Sequence, residues 1–261
     1  MTAISAKNLR KTYGEVRALD GLSVAVDRGE LYGFLGPNGA GKTTTMEILT
    51  GQLRPDAGHL EVLGTDPSME PVATRERVGI LPEQLSPPSF LTPREYFDFV
   101  GRVRDLDEMT VRDRVATWAD RLGYAGTLDT LCADLSRGQQ QKVMVTQAFL
   151  HEPAAVFIDE PLANLDPIVQ ERVKRALREY AAADNAVFVS THNVEVAQDI
   201  CTRVGIVSDG RIVAERAAEA FAEDSLLDVF LETVETADPA DSAGQTATSD
   251  SDSASSPPGG A

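Results

Sequence analysis

Gly36-Pro37-Asn38-Gly39-Ala40-Gly41-Lys42-Thr43 fits the spacing GxxxxGK[ST], and the chemistry served by that spacing is phosphate binding. Glycines let the backbone curl with its N–H groups turned inward, so an anion meets donors rather than side chains. A side chain at Gly41 is expected to obstruct that approach. The helical pattern opening near Lys42 adds the positive end of a helix dipole. Lys42 is then placed to reach the β- and γ-phosphates of ATP, Thr43 to offer its hydroxyl to Mg2+, and Thr44 to support a neighbouring phosphate. Without its flanks the segment would read as a glycine-rich turn with an exposed lysine. The apolar run Leu31 to Leu35 before it and the helical spacing of Lys42 to Leu53 after it favour the phosphate reading.

A second group lies at the end of another apolar run, Ala155-Val156-Phe157-Ile158-Asp159-Glu160-Pro161. Mg2+ keeps several waters and takes few protein ligands, so one carboxylate, Asp159, suffices to hold it through its water shell. Glu160 can then orient and polarise a water for in-line attack on the γ-phosphate, with position and electrostatics supplying most of the stabilisation. His192, in Ser190-Thr191-His192, follows a later apolar run and is placed to contact the γ-phosphate. Alone, such a histidine is more often structural. Its weight comes from the order of phosphate loop, carboxylate pair and histidine.

The elements that must position these groups are those of an α/β chain. Ile4 to Val26 alternates apolar and polar residues around Tyr13-Gly14, which predicts antiparallel strands. Ser86 to about Leu150 turns helical behind Pro87, Pro88 and Pro93 and predicts a separate helical lobe. Ala155 to Ile158 and Ala186 to Ser190 read as strands separated by a helix over Pro167 to Ala183, an alternation that predicts a parallel βαβ unit. Residues 1–232 read as one domain. From about Thr233 the composition is acidic and Ser-rich with little to bury, so 233–261 is expected to be a disordered tail.

Composition narrows the partners. A formal net charge of −17 disfavours nucleic acid and direct adhesion to anionic lipid. No apolar run reaches the ~20 residues of a membrane span, and no secretory leader is visible, so a cytoplasmic chain is expected. The acidic, lysine-poor balance is similar to that of proteins from salt-loving organisms. Cys132 and Cys201 lack metal-ligand spacing and read as free thiols. His59 and His151 read as surface or loop residues, and Trp118 as helical-lobe packing.

Leu135-Ser136-Arg137-Gly138-Gln139 alone would be a helix N-cap followed by a turn. Lying ahead of Ile158-Asp159-Glu160-Pro161, it resembles the LSGGQ signature of ATP-binding cassette (ABC) proteins. Asn164-Leu165-Asp166 is similar to their D-loop, and Tyr13 matches the aromatic position that stacks on adenine. The resemblance spans about Ile4 to Leu231 and implies a phosphate-loop, RecA-like core with a small antiparallel β lobe and a helical lobe. It also implies a homodimer or paired ABC subunits, in which each nucleotide lies between one phosphate loop and Ser136, Gly138 and Gln139 of the other subunit. Two departures stand out. Arg137 replaces a glycine, and in Val78-Gly79-Ile80-Leu81-Pro82-Glu83-Gln84 the flanks put Glu83, rather than Gln84, at the Q-loop position, where either side chain could approach Mg2+ and the attacking water.

Leu91-Thr92-Pro93-Arg94-Glu95-Tyr96, Ser136-Arg137-Gly138 and Asp228-Val229-Phe230-Leu231 look like the ABC-2 exporter group. That resemblance implies an ATPase subunit serving a separate integral-membrane permease, peripheral on the inner face of the membrane, and driving export. It places permease docking over Glu83 to Val100, where Phe90, Leu91, Tyr96, Phe97 and Phe99 cluster. A soluble ABC ATPase serving a cytoplasmic assembly is the competing expectation.

Overall fold

The computed structural model describes residues 1–84, 86–217, 220 and 226–237, with side chains as far as Glu232. Two sheets frame the molecule. Strands β1 (Thr2–Tyr13) and β2 (Val16–Asp27) form an antiparallel hairpin, and β4 (Ala57–Val62) pairs with the other edge of β1, giving the order β2-β1-β4. The larger sheet combines β3 (Leu31–Leu35), β5 (Val78–Leu81), β6 (Ala155–Asp159), β7 (Ala186–Thr191), β8 (Arg203–Ser208) and β9 (Arg211–Ala217). Its order is β5-β6-β7-β3-β8-β9, parallel throughout except for the β8–β9 hairpin.

Every residue of β3, β6 and β7 is buried, because this sheet is covered on both faces. The two-residue period of a strand divides its side chains between two cores. Tyr32, Phe34, Phe157 and Phe188 join the core beneath the antiparallel sheet and helix α1 (Lys42–Leu49). Leu31, Leu35, Val156, Ile158, Val187 and Val189 join the core beneath the remaining helices. The ring of Phe188 lies 5.2–5.7 Å from those of Tyr32, Phe34 and Phe157. Truncating such a residue to alanine costs roughly 3–5 kcal/mol.

The other helices are α2 (Pro71–Arg77), α3 (Pro93–Val103), α4 (Glu108–Leu122), α5 (Arg137–Phe149), α6 (Pro167–Ala182), α7 (Val194–Ile200) and α8 (Leu226–Ala237). Helices α3, α4 and α5 pack together, as the helical pattern from Ser86 to Leu150 predicts. Thr92 caps α3 in a reciprocal box with Glu95, and Asp107, Asp166 and Asn193 cap α4, α6 and α7. Trp118 of α4 stacks on Phe149 of α5 with centroids 4.8 Å apart.

Several sequence expectations change. α1 stops at Leu49 rather than Leu53, because the Thr50 hydroxyl bonds back to the Met46 carbonyl at 2.7 Å and Gly51 turns left-handed at φ 68°. β4, β5, β8 and β9 were not foreseen. α8 runs to Ala237, past the boundary expected at Thr233, and 238–261 lies outside the described residues. Cys132 and Cys201 are buried and free. His151 sits in a turn but is half-buried, its Nε2 3.0 Å from the Val78 carbonyl oxygen. Burial first, then Arg104, holds its pKa down to about 4. The expected aromatic cluster splits, with Phe97 fully buried and Phe99 and Phe90 exposed.

Candidate active site

The carboxyl ends of β3, β6 and β7 lie side by side, and the segments leaving them converge on a cavity of about 250 Å3. Its lining includes Asn38, Gly39, Gly41, Lys42, Thr43 and Thr44 from the loop and helix after β3. Glu83 follows β5, Asp159 and Glu160 close β6, and His192 follows β7. This is the place in an open parallel sheet where ligands bind.

Helix α1 begins without a side-chain cap: Gly41 holds the N-cap position at φ 100° and makes no such hydrogen bond. The amides of its first turn are orphan donors, the arrangement that receives an anion. The two interior glycines of the loop, Gly39 and Gly41, are both left-handed, yet they differ. A Cβ on Gly39 (φ 84°) would meet nothing within 4 Å. One on Gly41 would lie 2.6 Å from the Ala18 carbonyl oxygen and 2.8 Å from Leu19. Contact with β2 therefore already forbids a side chain at Gly41, a constraint that the sequence does not reveal. The β8–β9 turn completes this clasp: the Gly210 amide donates to the Ala40 carbonyl at 3.1 Å, and the Asp20 amide donates to the Gly210 carbonyl at 3.0 Å.

Lys42 is 9% exposed, and its ammonium donates to the Gly36 and Pro37 carbonyls at 2.7 and 2.9 Å. Burial lowers its pKa, against the opposing pull of Glu160, Asp159 and Glu83. The Asp159 carboxyl is raised, first by burial and then by Glu83 and Glu160, with Ser190 and Lys42 acting the other way. Glu160 has a left-handed backbone (φ 49°), and its amide donates to the Ser190 carbonyl at 2.9 Å. One carboxylate oxygen accepts from the His192 amide at 2.8 Å and lies 2.6 Å from the His192 Nδ1; the other accepts from the Thr191 hydroxyl at 3.0 Å. Three carboxylates facing one lysine form a cavity that suits polyanionic phosphate only with a further cation. The oxygen donors Thr43, Asp159 and Glu83 are of the kind that suit Mg2+. No group of three or more His, Cys, Asp or Glu that could hold a metal ion occurs among the described residues.

The remaining predicted residues lie elsewhere. Ser136 is the N-cap of α5: its Oγ accepts from the Gln139 amide at 3.3 Å while the Gln139 Oε1 accepts from the Ser136 amide at 2.8 Å. The cap reading of this segment is thus present in full. Gly138 sits beside the D-loop-like turn, where an added Cβ would be 3.0 Å from the Asn164 carbonyl oxygen. Gln84 and Arg137 line an adjoining cavity with Ser86, Gln140 and Asn164, and Glu83 borders both cavities. Tyr13 is half exposed at the end of β1, with Lys11 Nζ 5.8 Å from its ring centroid, and is not brought to the phosphate-loop cavity. Reasoning from sequence missed Thr191 and the β8–β9 turn. The only signal for Thr191 was a polar β-branched residue closing an apolar strand just before His192.

Comparison with known proteins agrees with this geometry. The family profile described as ABC transporter matches residues 19–163. Daunorubicin resistance ATP-binding protein DrrA3 of Streptomyces coeruleorubidus is 35% identical over 218 residues, covering 84% of this chain and 69% of that one. Nod factor export ATP-binding protein I of Burkholderia orbicola is 32% identical, covering 85% and 73%. A solved ATP-binding subunit of an ABC transporter superimposes with a TM-score of 0.81 at 28% identity, covering 88% of this chain and 99% of that one. A dimeric post-hydrolysis ATP-binding cassette bound to ADP and Pi shares the fold, with a TM-score of 0.76 at 24% identity over 82% of this chain and 98% of that one. The chain belongs to the ABC transporter family and is one of its ATP-binding, ATP-hydrolysing subunits.

Proposed function

We propose that this chain works as a dimer that binds ATP with Mg2+ at the phosphate-loop cavity and drives a separate membrane permease in the export direction. The observation that carries this reading is the convergence of Lys42, Asp159, Glu160 and His192 on one cavity from three separate chain segments. Residues 1–232 form the nucleotide-binding domain in this reading, with 86–150 as its helical lobe. Lys42 exchanges its two carbonyl partners for the β- and γ-phosphates, and the orphan amides opening α1, with Thr44, hold the phosphate oxygens. Thr43, Asp159 and Glu83 would hold Mg2+, whose charge would offset that of the phosphates. Glu160 orients the attacking water and His192 contacts the γ-phosphate. Ser136 and Gly138 face the nucleotide of the second subunit.

The direction of transport rests on relatives whose names speak of drug resistance and Nod factor export. No helix among the described residues is long and apolar enough to cross a membrane. We place the chain in the cytoplasm, peripheral on the inner face of the membrane through that permease. Phe99 and Val103 are one turn apart on the exposed face of α3, and Phe90 precedes the helix. Arg104, just past α3, donates to the Arg75 and Glu76 carbonyls, which brings exposed Val72 of α2 into the same neighbourhood. Exposed apolar side chains on one helix face are of the kind that mark a partner site.

Phe99→Glu should abolish co-purification with the permease while leaving ATP affinity of the isolated subunit within about twofold, because the side chain lies outside the folded core. Retention of the complex by Phe99→Glu and by Ser89→Arg would move docking elsewhere. Absence of any membrane protein in the wild-type preparation would favour a soluble assembly.

A further inference from the structure

Glu160 is held more tightly than a surface carboxylate needs to be. Its backbone is left-handed, a conformation that a residue with a Cβ adopts only where the surroundings over-determine it. Its amide is tied to Ser190, and one carboxylate oxygen is occupied by two donors of His192. Among the described residues the second oxygen has a single protein donor, the hydroxyl of Thr191, at 3.0 Å. Thr191 is fully buried at the end of β7, and its Oγ also accepts from the Asn193 amide at 3.1 Å. A hydroxyl has one proton to donate. With the Asn193 amide on one of its lone pairs, that proton is aimed at Glu160.

We infer that Thr191 is the positioning residue of the hydrolytic carboxylate, fixing the rotation of the Glu160 side chain so that it meets a water at the γ-phosphate without first having to reorient. The inference rests on the proposed role of Glu160. His192 anchors one end of the carboxylate and Thr191 the other. Without Thr191 the carboxylate can swing about its remaining anchor, and the geometry needed for attack is populated for only part of the time. Asn193 is bound into this arrangement because its side chain caps α7, which keeps its amide directed at Thr191.

The test is ATP turnover by the purified full chain carrying Thr191→Val, which keeps the shape and removes the hydroxyl, and Thr191→Ser, which keeps the hydroxyl. We expect kcat to fall on the order of tenfold in Thr191→Val, the scale of one hydrogen bond to a charged group. KM for ATP and affinity for a non-hydrolysed analogue should stay within about twofold. Thr191→Ser should recover most of the lost rate, which separates the hydroxyl from any packing effect of the valine. In a Glu160→Gln background, Thr191→Val should add nothing to the defect. Unchanged turnover in Thr191→Val, equal loss in Thr191→Ser, or an independent further loss in the Glu160→Gln background would each overturn the inference while leaving Glu160 in its role. Wild-type turnover by Glu160→Gln alone would instead remove the reading of Glu160 and the inference with it.

Discussion

The two helices that the proposed function sets against nucleotide begin in opposite ways. Helix α1 opens from Gly41 with no side-chain cap, its start packed against β2 and the β8–β9 turn. Helix α5 opens at exposed Ser136, which closes a reciprocal capping box with Gln139. The orphan amides of α1 wait for a ligand, whereas in α5 the Gln139 amide is already served by its own chain. Being self-capped does not disqualify Ser136. Its oxygen accepts the Gln139 amide, and its own proton is still free to donate to a phosphate. One site is prepared within the subunit; the other is a stable surface that can be presented to a second subunit without collapsing in its absence.

The comparison breaks first at Glu160. If hydrolysis belongs to the cavity at α1, Glu160→Gln should lower turnover by roughly 100-fold or more, the range of general-base catalysis, while ATP binding stays intact. Light scattering should then show the variant persisting as a dimer with ATP, because the nucleotides joining the subunits are not consumed. Next in size, Lys42→Ala should weaken ATP binding on the order of 100-fold, since a buried charged donor is lost from the loop. Titration with a labelled analogue measures it, and unchanged affinity would mean that α1 is not the nucleotide end.

Ser136→Ala sharpens the contrast, because it should do two separable things. Loss of the cap should cost about 1 kcal/mol, a fall of roughly 2–4 °C in melting temperature. ATP binding by the single subunit should not change, while turnover at concentrations that support the dimer should fall about tenfold through the lost hydroxyl donor. A loss of turnover no larger than the stability change explains would leave Ser136 as a cap alone.

The smallest shift in stability concerns Asp159. Burial, then Glu83 and Glu160, raise its carboxyl pKa, so the nucleotide-free fold is strained when that group is ionised. A carboxyl raised on folding contributes stability below its unfolded pKa and loses it as pH rises through the folded value. Asp159→Asn should therefore raise the melting temperature at neutral pH by at most a few degrees. That advantage should disappear below the ordinary carboxylate range, and hydrolysis should be lost throughout. A destabilised Asp159→Asn chain at neutral pH would contradict the strain.

The same two helix starts mark what was legible in the sequence. The strand, loop and helix around Lys42 are consecutive, and Asp159 and Glu160 end an apolar run, so local pattern sufficed to place them. The Gly210 contacts with Ala40 and Asp20 close chain separations that no local pattern encodes. Thr191 gains its meaning from Glu160, 31 residues away. Phe97 and Phe99 show the same limit from another side: two residues apart on α3, they look alike in composition, and only the packing of α3 buries one and leaves the other in solvent. For Glu83 and Gln84 the flanking sequence favours Glu83 although either side chain could serve, and Glu83 alone of the pair reaches the phosphate-loop cavity.

Gly39 and Gly41 occupy one motif but answer to different constraints. Sequence drift at the two positions should therefore be informative in different currencies. In a library selected only for soluble expression, position 41 should stay glycine, because any larger residue strikes the Ala18 carbonyl before a nucleotide is ever present. Position 39 has open space in its Cβ direction and needs only a left-handed backbone, which asparagine and aspartate tolerate. Asparagine should enter there freely under that selection and be purged only when growth depends on ATP. Invariance at one glycine would then be a record of folding, and invariance at the other a record of the ligand.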